Sequence, residues 1–100
     1  MKASWTRRAE LELDDIVAYI AADDPIAAIA WGERLIDRAD AVAKAKYSGR
    51  VVPELELDHI REVFVGTYRI VYRVLSHGIR VQSVFEGHRQ LPGDFDPDET

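Results

Sequence analysis

The sequence predicts an α+β domain: an N-terminal strand, an antiparallel helical hairpin, then a three-stranded antiparallel meander, with the helices packed on one sheet face. Three observations carry this prediction. From Arg61 to Pro92, three runs rich in Val, Ile, Phe, Tyr and Arg are separated by Gly66-Thr67 and by His77-Gly78, pairs suited to tight turns. Between about Arg7 and Lys46, apolar residues recur at helical spacing in two segments split by Asp23-Asp24-Pro25. One hundred residues, 47% of them hydrophobic, suit one modest core and no second domain.

The elements follow in order. Lys2 to Thr6 alternates around Trp5 and reads as an edge strand joining the meander. Thr6 can cap a helix whose first turns carry Glu10 and Glu12, acids that suit the positive end of the helix dipole. Ala9, Leu13, Ile16, Val17 and Ile20 give that helix, about Arg7 to Ala22, one apolar stripe. Asp24 caps the next, with Pro25 at its first position. The second helix, about Pro25 to Lys46, carries two stripes, Ile29/Gly32/Ile36/Ala39 and Ala28/Trp31/Leu35/Val42. One is expected to meet the first helix and the other the sheet. The short connection between the helices forces an antiparallel hairpin. Tyr47 to His59 is a connector with Gly49 and Pro53 and room for a short extended piece. Residues 1–93 are expected to form the single domain, and 94–100, with four acids, a flexible tail.

Charge is unevenly placed within a net −5. Residues 1–49 carry 7 basic and 9 acidic side chains, residues 50–93 carry 6 and 5, and all six of those cations are arginine. Arginine forks recognise carboxylates, phosphates and aromatic faces, which marks the meander as a contact surface. A pI near 5.1 lacks the electrostatic footprint of a protein that binds DNA directly. Without cysteine there are neither disulfides nor thiolate metal sites, and the histidines and carboxylates show no metal spacing. No glycine-rich phosphate loop and no serine nucleophile pattern stands out, so no cofactor is expected. No apolar run approaches a membrane span, and a cytoplasmic protein without membrane partners is expected.

A two-residue turn at Gly66-Thr67 pairs Val65 with Tyr68, Val63 with Ile70 and Arg61 with Tyr72 on one face, and Phe64 with Arg69, Glu62 with Val71 and Ile60 with Arg73 on the other. A turn at His77-Gly78 would add Val81, Ser83 and Phe85 to the first face, and Arg80, Gln82, Val84 and Glu86 to the second, with Arg69 opposite Glu86. The first face is the expected core. The second mixes Ile60, Phe64, Val71, Leu75 and Val84 with Arg69, Arg73 and Arg80, a composition that suits a partner.

The pieces Gly-Arg-Val-Val-Pro-Glu-Leu (49–55), Ile-Arg-Glu (60–62), Tyr-Arg-Ile-Val-Tyr-Arg-Val (68–74) and His-Arg-Gln-Leu-Pro (88–92), in this order, resemble the RelE/ParE superfamily of bacterial type II toxins, the ParE-like branch in particular. The resemblance covers Trp5 to Pro92. It implies a toxin, of a kind associated with plasmid stabilization, and a cognate ParD-like antitoxin with a ribbon-helix-helix head and a segment that wraps the toxin. For ParE members the implied target is DNA gyrase, blocked by protein binding. For RelE members it is mRNA cut on the ribosome.

The RelE pattern places two arginines at Arg69 and Arg89, but its lysines fall on Ile60 and Glu62 and its tyrosine near Phe95. Phosphate chemistry needs cations where this chain has an apolar residue and an acid. A YoeB-like pattern would use His88 with Glu54 or Glu56, although Arg89 stands where its tyrosine is expected. The reading is therefore a binding toxin rather than an enzyme, with a ribosome-dependent endoribonuclease using Arg69, His88 and Arg89 as the alternative. A toxin that survives only as its antitoxin's co-repressor is a third reading. Target contacts are expected at Arg61, Arg69, Arg73, Arg80, His88 and Arg89. Antitoxin contacts are expected at Trp31, Leu35, Phe64, Val71, Arg73, Leu75 and Val84.

Overall fold

The computed structural model describes residues 2–100 and contains β1 (Ser4–Trp5), α1 (Arg7–Ala21), α2 (Pro25–Ala43), β2 (Arg50–Val51), β3 (Ile60–Val65), β4 (Tyr68–Leu75) and β5 (Gly78–Glu86). The strands form one sheet in the order β1-β5-β4-β3-β2, with β1 parallel to β5 and every other pair antiparallel.

Both helix starts follow from their caps. Thr6 Oγ1 accepts from Ala9 N at 3.1 Å, and Thr6 N donates to Val81 O at 2.9 Å, so one residue ends β1 and begins α1. Asp24 Oδ1 accepts from Ala27 N at 3.0 Å, ahead of Pro25. α2 stops at Ala43, short of Lys46, because the Lys46 backbone is taken by the sheet. Tyr72 Oη donates to Lys46 O at 2.9 Å, and Lys46 Nζ donates to Leu75 O and Ser76 O at 2.7 and 2.8 Å. Ala9, Leu35, Ala39, Val42 and Ala43 join Val63, Val65, Ile70, Tyr72, Ile79, Val81 and Val84 in the main core between hairpin and sheet. At buried Gly32 an added Cβ would lie 3.3 Å from Val17 Cγ2, so this glycine lets the helices approach closely.

The β3–β4 register is the expected one, from Val65 opposite Tyr68 to Ile60 opposite Arg73. Gly66 has φ +59°, and an added Cβ would meet Trp31 Cη2 at 2.7 Å, so the turn needs glycine for both its backbone and its neighbour.

β5 departs from expectation. The turn residues are Ser76 and His77, with Gly78 already opposite Leu75, so Tyr72 faces Val81 and Arg73 faces Arg80. Beyond Tyr72 the register shifts and Gln82 bulges out, after which Ile70 faces Val84, Arg69 faces Phe85 and Tyr68 faces Glu86. A one-residue slip exchanges the faces. Val84 therefore sits in the main core and Phe85 on the outer face, the reverse of the predicted assignment.

The outer face is less open than its composition implies. Val52, Ile60, Val71 and Phe85 form a second core, covered by Leu55 and Leu57 of the connector and by Leu91 and Phe95 from the C-terminal segment. The tail, marked flexible by its charge, lies across this face: Arg73 pairs with Asp98 at 3.2 Å, and Gln82 Nε2 donates to Pro97 O at 2.8 Å. Among the described residues, no helix is long and apolar enough to cross a membrane.

Candidate functional site

The most constrained chemistry in the molecule is built on Arg69. β4 points it to the outer face, where it is 5% exposed. Its Nε donates to Glu62 Oε1 at 2.6 Å, and its two terminal nitrogens bind the Glu54 carboxylate at 2.8 and 3.2 Å. Glu62, 1% exposed, also accepts from Arg50 Nε at 2.5 Å, and Glu54 accepts from Leu91 N at 3.1 Å. The result is an alternating row, Arg50–Glu62–Arg69–Glu54, of two cations and two anions that ties β2, β3, β4, the connector and the C-terminal segment together. The bidentate hydrogen bond from Arg69 lowers the Glu54 pKa to about 2. Burial opposes the Arg69 charge, but the bonds from Glu54 and Glu62 outweigh it and raise its pKa.

The expected Arg69–Glu86 pairing is replaced by this row. Arg69 faces outward beside a glutamate, as its strand position requires, but the glutamates are Glu62 and Glu54, while Phe85 lies opposite with its ring centroid 5.2 Å from the guanidinium carbon. Glu54 belongs to a connector whose alternation gave no sign of where it would point.

The other arginines and histidine expected at the target divide by environment. Arg61 is spent on the connector, donating to Asp58, Tyr47 O and Gly49 O, with its guanidinium over the Tyr47 ring. Arg73 is held by the tail. Arg80 is half-buried on the outer face, and His88 and Arg89 are exposed just beyond β5.

The residues expected at the antitoxin also divide. Leu35, Val71 and Val84 are buried within this chain, Leu35 and Val84 under the hairpin and Val71 beneath the connector and C-terminal segment, so none is open to a partner here. Trp31 is half-buried: it closes over Gly66, meets Tyr68 edge-on at 5.3 Å and carries Arg34 on its face. Phe64 is 46% exposed and Leu75 half-buried.

The larger apolar surface lies on the helices, where the two-stripe pattern concealed it. Tyr19, Ile26 and Ile29 are 79%, 81% and 63% exposed near the hairpin tip, and Leu11 and Ile36 are also open. Ala28, Gly32 and Ala39 turn inward because small residues allow the close helix contact, which leaves Ile29 and Ile36 on the outside. Beside this surface a cleft of about 530 Å³, lined by Glu12, Asp15, Tyr19, Tyr68, Glu86 and Arg89 among others, runs between α1 and the end of β5.

Comparison with known proteins gives three concordant matches. The family model described as "ParE toxin of type II toxin-antitoxin system, parDE" matches residues 3–91. A protein of Sinorhizobium fredii (strain NBRC 101917 / NGR234), described as "Putative toxin Y4kP", is 37% identical over 90 residues, spanning 88% of this chain and 90% of its own. The solved structure of a "Chromosomal ParDE TA system from P. aeruginosa" contains a chain with the same fold, at a TM-score of 0.69 and 19% identity, covering 86% of this chain and 95% of the other.

Proposed function

The chain belongs to the ParE toxin family of type II toxin-antitoxin systems, and from that premise we propose that it acts by binding a protein target, DNA gyrase, and is silenced by a cognate antitoxin. The observation that supports binding over RNA cleavage is the occupied state of Arg69. A guanidinium that gives three of its five N–H donors to two carboxylates, and a fourth to the Arg89 carbonyl, is poorly placed to stabilise a phosphate in a transition state, and the added acids repel one. Glu54, one of the two candidate bases of the nuclease alternative beside Glu56, is a poor one. With a pKa near 2 it is a weak acceptor at neutral pH, where a general base works best with a pKa near the working pH.

Arg80, His88 and Arg89 are the target contacts that this reading favours, since they carry charge or hydrogen-bonding capacity outside the neutralised row. The antitoxin covers the exposed apolar residues of the hairpin, Tyr19, Ile26 and Ile29, which a monomer gains nothing by displaying.

The experiment is expression in a host lacking antitoxin, with and without the neighbouring reading frame, followed by gyrase supercoiling with purified protein. Growth arrest relieved by the neighbouring gene, with supercoiling inhibited by the free protein and by no variant lacking both His88 and Arg89, is the expected outcome. Normal supercoiling at saturating protein would refute the gyrase target.

A further inference from the structure

We propose that the outer sheet face around Arg73, Arg80 and Gln82 is a docking seat for an acidic, extended segment of a partner protein, and that the chain's own tail, Asp94–Thr100, fills it in cis until displaced. Arg73 and Arg80 are directly opposite one another on β4 and β5, on the same face. Like charges in that position repel unless an anion lies over them. Asp98 answers Arg73 at 3.2 Å, while no carboxylate among the described residues comes within ion-pair distance of Arg80. The tail therefore satisfies half of the charge beneath it.

Gln82 identifies the occupant as a peptide. The bulge leaves it unpaired in the ladder and 1% exposed, with Nε2 donating to Pro97 O and Glu99 O at 2.8 and 3.1 Å. Those two carbonyls fix the amide orientation, and they leave buried Oε1 with no partner among the described residues. A side-chain amide that donates to main-chain carbonyls and still lacks a donor fits an extended backbone, which offers both groups in alternation. The tail supplies only one. A phosphate would satisfy the arginines but bring no donor to Oε1.

The tail's polar hold is superficial. Its ion pairs, Arg8–Asp94 at 3.0 Å and Arg73–Asp98, use carboxylates that are 83% and 79% exposed, and such contacts are weak and screened by salt. Phe95, packed beside the second core, is its apolar anchor. The family match ends at residue 91, so this strap lies outside the shared domain.

The test uses the full chain and a fluorescein-labelled peptide of the sequence Gly93–Thr100, read by anisotropy. Wild-type protein should bind it weakly, because the tethered tail competes at high effective concentration. A full-length variant with Asp94→Asn and Asp98→Asn, and a second with Phe95→Ser, each shown folded by its melt, should bind at least tenfold more tightly. Adding Arg80→Ala should reverse the gain, as should raising salt. The seat is disproved if neither variant binds more tightly, if Arg80→Ala has no effect, or if single-stranded RNA binds in place of the peptide. The readout involves neither gyrase nor growth, so it fails or succeeds independently of the toxin's target.

Discussion

Arg69 holds Glu54 through both terminal nitrogens, at 2.8 and 3.2 Å, while its Nε reaches Glu62 at 2.6 Å. One side chain thus compensates two carboxylates, one of them fully buried. Removing one partner of a buried ion pair typically costs about 3–5 kcal/mol when the survivor stays buried and unpaired; here Glu62 stays buried but keeps Arg50, which points to the low end of that range. Arg69→Ala is therefore expected to lower stability by roughly that amount in urea titration. Arg69→Lys, which keeps the charge but loses the fork, should recover only part of it. A catalytic arginine would give a different result: a variant that is inactive yet as stable as the wild type.

Acid should expose the same network. Glu54 has its pKa lowered to about 2 from an ordinary 4.5 by its Arg69 hydrogen bonds. A carboxylate depressed in the folded state contributes stability that is fully present above the unfolded value and lost as pH falls from about 4.5 towards 2. Melts across that window should show a fall in stability that is smaller in Glu54→Gln. Identical pH profiles for the two proteins would mean that the interaction contributes nothing in solution.

Gly66 and Trp31 should be coupled. A residue forced to positive φ costs about 1–3 kcal/mol, and here the new Cβ also runs into the indole. Gly66→Ala is expected to destabilise by at least that range. In a Trp31→Ala background, the steric part should vanish and leave only the backbone part, a non-additivity that a double-mutant cycle measures.

The fold was legible where local chemistry forced it. Thr6, Asp24 and Pro25 fix both helix starts, and Gly66 fixes the β3–β4 register pair by pair. β5 was not legible, because Ser76-His77 and His77-Gly78 make equally plausible two-residue turns. The structure chooses the first, aided by Lys46 binding the carbonyls of Leu75 and Ser76. The bulge at Gln82 has no sequence mark at all, yet it moves Val84 inward and Phe85 outward. Site residues suffered accordingly. The outward side of Arg69 followed from alternation alone, but its true partners needed the path of the connector. The acidic tail looked solvated because composition hides the single anchor, Phe95.

The position of the partner surface can be checked directly. Leu35 is fully buried, so Leu35→Asp should unfold the protein, costing more than about 4 kcal/mol. Ile29 is 63% exposed, so Ile29→Asp should change stability by no more than about 0.5 kcal/mol while weakening antitoxin capture at least tenfold. Equal loss of antitoxin binding without unfolding in the Leu35 variant would return the interface to the sheet side of α2.

The central claim is that a neutralised Arg69 leaves this toxin a binder and not a nuclease. The most direct measurement places one preparation of free protein in two reactions, gyrase supercoiling and primer-extension mapping of ribosome-bound mRNA. Blocked supercoiling and intact message are the expected result. Codon-positioned cuts with unimpaired supercoiling would contradict it.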